Sequence, residues 1–160
     1  MKFLWAPWRM EYIAAPKGNE CIFCLPAVPA EDPKRLVLHR GERAFVIMNR
    51  FPYSNGHLMI APFRHVADLE ELRAEEMAEM HVLLVKCRKV LGQVMSPQGF
   101  NVGMNLGEIA GAGIADHLHL HIVPRWSGDT NFMPVFADVR VVPQHLEATF
   151  ELLVKGFRSV

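Results

Sequence analysis

His117, His119 and His121 alternate with Leu118, Leu120 and Ile122 in the stretch DHLHLHIVPRW, and a period of two is that of a β-strand. On a strand the imidazoles project from one face, about 6–7 Å apart, while the apolar side chains point into a core. Imidazole titrates near neutrality, so such a row can do two kinds of work. Alternate rings can ligate a metal such as zinc, or one ring can act as a nucleophile while its neighbours orient it and stabilise charge. The preceding segment, NLGEIAGAGIAD, carries Gly107, Gly111 and Gly113, and with few large side chains its backbone N–H groups can form a nest for an anion. Together the loop and the row suggest a phosphate held by amides in front of a histidine nucleophile.

A second candidate centre is CIFC. Cys21 and Cys24 have the Cys-x-x-Cys spacing of tetrahedral metal sites and of dithiol redox sites, but no thioredoxin-like βαβ pattern flanks them. Three cysteines are an odd and sparse set for a disulfide framework, so we expect a reducing compartment and a cytoplasmic protein. Cys87 falls on the apolar face of a helical pattern and reads as inert packing. His39, His81 and His145 have no context that lifts them above surface or structural histidines.

The elements that must position these groups are legible in outline. LVLHR and RAFVIMN flank Gly41-Glu42 as a hairpin, and HLMIAP (57–62) is a third strand set off by the turn FPYSNG. From Asp68 to about Met95 the period changes: Met77, Met80, Leu84, Cys87, Leu91 and Val94 recur every three or four residues, the pattern of an amphipathic helix. FNVGMN (100–105) and HLHLHIV (117–123) are further strands, the second halted by Pro124. After RWSGDTN come a short apolar run, VRVV, and a C-terminal helix over 144–156 with Leu146, Phe150 and Leu153 on one face. The sum is an α+β domain: a mostly antiparallel sheet of about five strands with one long helix and a C-terminal helix. We expect a single domain over 1–160, with an aromatic arm at 1–20, a core at 21–125 and an extension at 126–160.

The triad stretch matches the pattern His-φ-His-φ-His-φ-φ, with φ apolar, and resembles the histidine-triad superfamily of nucleotide hydrolases and transferases. CIFC, MNRFPYSNGHLMIAPFRHVADL, NVGMNLGEIAGAG and PRWSGDTNF follow in that family's order. LWAPWRMEYI and PRWSGD are most similar to its bacterial branch of diadenosine tetraphosphate phosphorylases. The resemblance implies that His119 is the nucleophile and that His121 orients it and binds phosphate oxygens. It also implies amides around Ala112 and Gly113, with Asn105, facing the phosphate; Asn49 at the ribose; Ile47 on the wall of the base slot; and His57 and Trp126 near the substrate. A structural zinc on Cys21, Cys24, His65 and His117 is implied in the same way, as is a homodimer through the long helix and its neighbouring strands. Where much of the family has a Ser or Thr just upstream of the triad, this chain has Gly113 and Ile114. That departure removes a hydroxyl donor and leaves open whether phosphate or water completes the reaction.

Composition bounds the partners. The chain has 160 residues, 17 Lys plus Arg and 17 Asp plus Glu, so its net charge offers no field for long nucleic acid or an anionic membrane. No run approaches the roughly 20 apolar residues of a membrane span. The expected substrate is a nucleotide or dinucleoside polyphosphate, with a divalent cation able to accompany its phosphates. Three other readings are a phosphoramidate or adenylyl hydrolase, a nucleotide-binding protein with little turnover, and a hydrolase with zinc on all three triad histidines.

Overall fold

β-Branched and aromatic residues between turn signals build five strands: β1 (Val37–Arg40), β2 (Ala44–Met48), β3 (Leu58–Pro62), β4 (Gly99–Met104) and β5 (Leu120–Arg125). In a computed structural model that describes residues 21–112, 114–129 and 145–160, they form one antiparallel sheet in the order β1-β2-β3-β5-β4. Helices are α1 (Asp32–Arg35), α2 (Ala74–Met95) and α3 (Leu146–Ser159). The α+β architecture read from the sequence is therefore the one observed. The arm with Trp5 and Trp8, Gly113 and the run 139–142 lie outside the described residues.

Alternation along the strands sorts the core into two clusters, one on each face of the sheet. Ala44, Val46, Met48, Leu58, Ile60 and Ile122 pack against Met80, Leu83, Cys87, Val90 and Leu91 of α2 and Leu153 and Phe157 of α3. Phe45, Ile47, Met59 and Ala61 point the other way and pack with Phe23 and Val37. This second face carries no long helix among the described residues, and it is the face on which the imidazoles lie.

Two expectations are corrected in detail. The long helix begins at Ala74, not near Asp68: Leu69–Glu71 form a separate 3₁₀ turn, and Met77 is exposed while Met80, Leu83, Cys87 and Leu91 carry the buried stripe. The triad strand starts at Leu120 and runs through Pro124 to Arg125, with His117 to His119 preceding the paired region. Pro124 is tolerated because the Arg125 carbonyl faces β4, where it accepts the Gln98 N–H at 2.9 Å. The imide nitrogen of Pro124 must then face the opposite side, and pairing with β3 has already ended there, at Leu58 opposite Ile122.

The acidic first turns of α2 grip one end of the sheet. The Glu76 carboxylate receives Arg64 Nε and Nη2 at 2.6 and 2.7 Å and the Arg73 N–H at 2.9 Å. Glu79 accepts the backbone N–H groups of Glu42, Arg43 and Ala44 in the β1–β2 turn. Arg64 adjoins His65, so the first of these contacts also fixes the chain beside a candidate ligand.

Candidate active site and metal centre

Cys21, Cys24, His65 and His117 come together from three separate parts of the chain, with their ligand atoms all within 4.8 Å of one another. Cys21 Sγ and Cys24 Sγ lie 3.3 and 3.9 Å from His117 Nδ1, and Cys24 Sγ lies 3.3 Å from His65 Nδ1. A tetrahedral ion with bonds of about 2.3 Å to sulfur and about 2.0 Å to nitrogen needs N···S edges of about 3.5 Å. His117 is fully buried, and its Nε2–H donates to the Pro62 carbonyl at 2.9 Å. That bond fixes the tautomer in which Nδ1 offers a lone pair toward the sulfurs, the outer-shell arrangement of a metal-bound histidine. Burial, followed by the neighbouring Cys21 sulfur, holds the Cys24 thiol above its ordinary pKa, and a bound cation would favour its thiolate form. The donor set fits zinc.

The other two triad rings lie on the same face. His119 is 6% exposed, and its Nδ1–H donates to the His117 carbonyl at 2.8 Å, leaving the lone pair on Nε2. Burial lowers its pKa, partly offset by that carbonyl, so the ring is neutral at pH 7. The tautomer of His121 is set from further away. The Tyr53 backbone N–H donates to His57 Nδ1 at 3.1 Å, so His57 carries its proton on Nε2 and donates it to His121 Nδ1 at 2.9 Å. His121 is thereby left with its proton on Nε2. One ring presents a lone pair and its neighbour an N–H, with centroids 4.8 Å apart and planes at 75°.

These rings border a cleft of ≈ 250 Å³. Ile47 and Asn49 line it, together with Ile114, which packs as an apolar wall. Asn49 also braces the turn that follows β2, since its Oδ1 accepts the Phe51 N–H at 2.9 Å and its Nδ2 lies 3.2 Å from His57 Nδ1. His57 is fully buried behind His121, to which it is hydrogen-bonded. Asn105 turns its Nδ2 to the Gly111 carbonyl at 3.3 Å, and the Ala112 N–H points to the Gly107 carbonyl at 3.4 Å, so both brace the loop. The structure does not bring Trp126 to the cleft of its own chain, because its indole N–H donates to the Met95 carbonyl at the end of α2. Gly113 falls outside the described residues.

Sequence reasoning missed several cleft residues. Ile22 and Phe23 stand between the two cysteines, Tyr53 stacks on His57 at 4.7 Å, and Lys34, Arg35 and Arg50 supply positive charge at the rim. FPYSNG carries a usable signal, since an aromatic residue four positions before a histidine in a tight turn can stack on it, but its composition alone reads only as a turn. Lys34 and Arg35 belong to α1, which the proline-rich loop conceals.

The family described as "HIT domain" matches residues 30–128. A protein named AP-4-A phosphorylase from Mycobacterium tuberculosis is 43% identical over 158 residues, covering 94% of this chain and 81% of that protein. An adenosine 5′-monophosphoramidase of Schizosaccharomyces pombe is 28% identical over 131 residues, covering 82% and 93% of the two chains. Among solved structures, a Zn-bound histidine triad family protein from Mycobacterium smegmatis superposes with a TM-score of 0.66 at 24% identity, covering 88% of this chain and 94% of that one. No helix among the described residues is long and apolar enough to cross a membrane.

Proposed function

The chain belongs to the HIT domain family, and from that premise we propose that it is a nucleotidyl transferase acting on dinucleoside polyphosphates such as diadenosine tetraphosphate, with inorganic phosphate as the second substrate. The observation that carries this reading is the state of His119, a buried neutral imidazole with Nδ1–H fixed on a carbonyl and Nε2 as its nucleophilic atom. Nε2 attacks the α-phosphorus; an N–P bond forms as the bond to the leaving nucleoside triphosphate breaks. The positive charge that develops on the ring is shared with the His117 carbonyl through Nδ1–H. In the second step a phosphate oxygen attacks phosphorus, the P–N bond breaks and His119 departs as neutral imidazole, yielding a nucleoside diphosphate. Burial disfavours the charged ring, so it also makes the intermediate reactive.

His121, with its proton held on Nε2 by His57, hydrogen-bonds the phosphate oxygens as charge accumulates. Asn49 meets the ribose and Ile47 the base. Lys34 and Arg50 draw the anionic substrate to the rim, beside Arg35, whose Nε is paired with the Glu31 carboxylate at 3.4 Å. The replacement of the family hydroxyl by Gly113 and Ile114 fits this substrate class. A leaving phosphate has a pKa of about 6 and needs no proton at pH 7, whereas an amine leaving from a phosphoramidate does.

Zinc on Cys21, Cys24, His65 and His117 would cross-link the knuckle at residues 21–24, the segment after β3 and the triad stretch. Its contribution is structural. Paired free thiols in ligand geometry suit a reducing cytoplasm, and the reading includes a homodimer. Incubation with diadenosine tetraphosphate, with and without phosphate, tests the proposal. We expect ATP and ADP only when phosphate is present; AMP and ATP formed equally well without it would replace phosphorolysis by hydrolysis, and no product would end the reading.

A further inference from the structure

Phe23 stands between two metal ligands in CIFC, in a turn closed by the Cys24 N–H on the Cys21 carbonyl at 3.1 Å. Its ring is only 1% exposed. One side packs in the apolar cluster with Val37, Phe45, Ile47 and Met59. Another lies over His119, with centroids 4.5 Å apart and planes at 31°, and the ring also touches His117 at 5.4 Å.

Three contacts therefore define the plane of the His119 imidazole. The His117 carbonyl takes Nδ1–H, the His121 ring meets it edge to face, and Phe23 covers it. Two of the three belong to the metal centre, because His117 is a ligand and Phe23 is carried on the loop between the two cysteine ligands. We propose that Phe23 is a positioning residue for the His119 nucleophile, and that loading of the Cys21, Cys24, His65 and His117 centre sets the aim of Nε2 through the Phe23 ring. The inference rests on the nucleotidyl-transfer reading for its kinetic consequence. A tilt that moves Nε2 by about 1 Å from the attack geometry lowers the chemical step by about 100-fold with little effect on ground-state binding. The alternative, that Phe23 is only a wall of the nucleotide slot, makes the opposite prediction: weaker binding with an unchanged chemical step.

The test compares wild type, Phe23→Leu and Phe23→Ala in their metal-loaded forms, and metal-stripped wild type. Melting temperature and metal content are recorded for each. For Phe23→Leu we expect a 10- to 100-fold fall in kcat, with KM and the Kd for AMP within threefold. Imidazole ¹⁵N–¹H spectra should show the single Nδ1–H tautomer of His119 in loaded wild type and a tautomer mixture in both the variants and the stripped protein. Unchanged kcat overturns the proposal, as does a loss accounted for by weaker AMP binding or a His119 tautomer indifferent to Phe23 and to metal. If Phe23→Ala fails to fold, Phe23→Leu and metal stripping still decide. If wild type shows no turnover, the nucleotidyl-transfer reading falls, while the spectra still test whether Phe23 and the metal order His119.

Discussion

Each triad histidine is defined by what its other nitrogen does. His117 gives Nε2–H to Pro62 and keeps Nδ1 for the cysteines; His119 gives Nδ1–H to His117 and keeps Nε2; His121 receives His57 on Nδ1 and keeps its N–H on Nε2. Alternation in the sequence is enough to place the three on one face, and the Cys-x-x-Cys spacing is enough to raise a metal. Neither gives the tautomers, which depend on the backbone groups of Pro62 and Tyr53, brought near by folding. The roles separate on substitution. His119→Gly should keep its fold and bind AMP within a few-fold of wild type, while turnover falls by about 10³-fold or more. Steady-state kinetics beside calorimetric titration with AMP makes the comparison, and near-normal turnover would remove His119 as nucleophile.

At the scale of elements, helix α2 holds the sheet by its acidic first turns and packs closely on α3. Three hydrogen bonds from Arg64 and the Arg73 backbone hold the Glu76 carboxyl down at about 2, against an ordinary 4.5. A lowered carboxyl pKa stabilises the fold fully above pH 4.5 and loses that effect as pH falls from 4.5 toward 2. Glu76→Gln should therefore cost about 2 kcal/mol in denaturant titrations at pH 7, a difference that closes as the pH drops through that window. The α2–α3 contact is tight at Gly156, where an added Cβ would lie 2.8 Å from Val90 and 2.9 Å from Val94. Gly156→Leu should lower stability by about 2 kcal/mol through overpacking, measured in the same titration. Neither device is legible in the sequence. Glu76 sits in a run of charged residues that reads as a solvated helix start, and a glycine in a helix shows its packing only against the partner helix. The five strands and α3 are legible to within a few residues, because their apolar periods differ plainly, whereas α2 starts well after Asp68 and α1 is hidden in a proline-rich loop.

For the molecule as a whole, 17 acidic and 17 basic residues cancel, yet the cleft gathers Lys34, Arg35 and Arg50. Attraction is local and screenable. Raising salt from about 0.05 to 0.5 M shortens the Debye length severalfold and should raise KM for a tetraphosphate substrate more than for AMP as a competing ligand, with kcat little changed. This charge pattern is hidden in the totals, since the fold brings Lys34 and Arg35 of α1 to the same rim as Arg50, which precedes the FPYSNG turn. Nucleotidyl transfer by this site requires a covalent bond between His119 and the nucleotide. Intact and peptide mass spectrometry of protein quenched in acetone after brief mixing with diadenosine tetraphosphate, without phosphate, observes that bond directly. The expected result is a mass gain of one AMP on the peptide bearing His119, discharged to ADP when phosphate is added and missing in His119→Gly. Turnover with no adduct at any quench time, or an adduct that persists in His119→Gly, would contradict it.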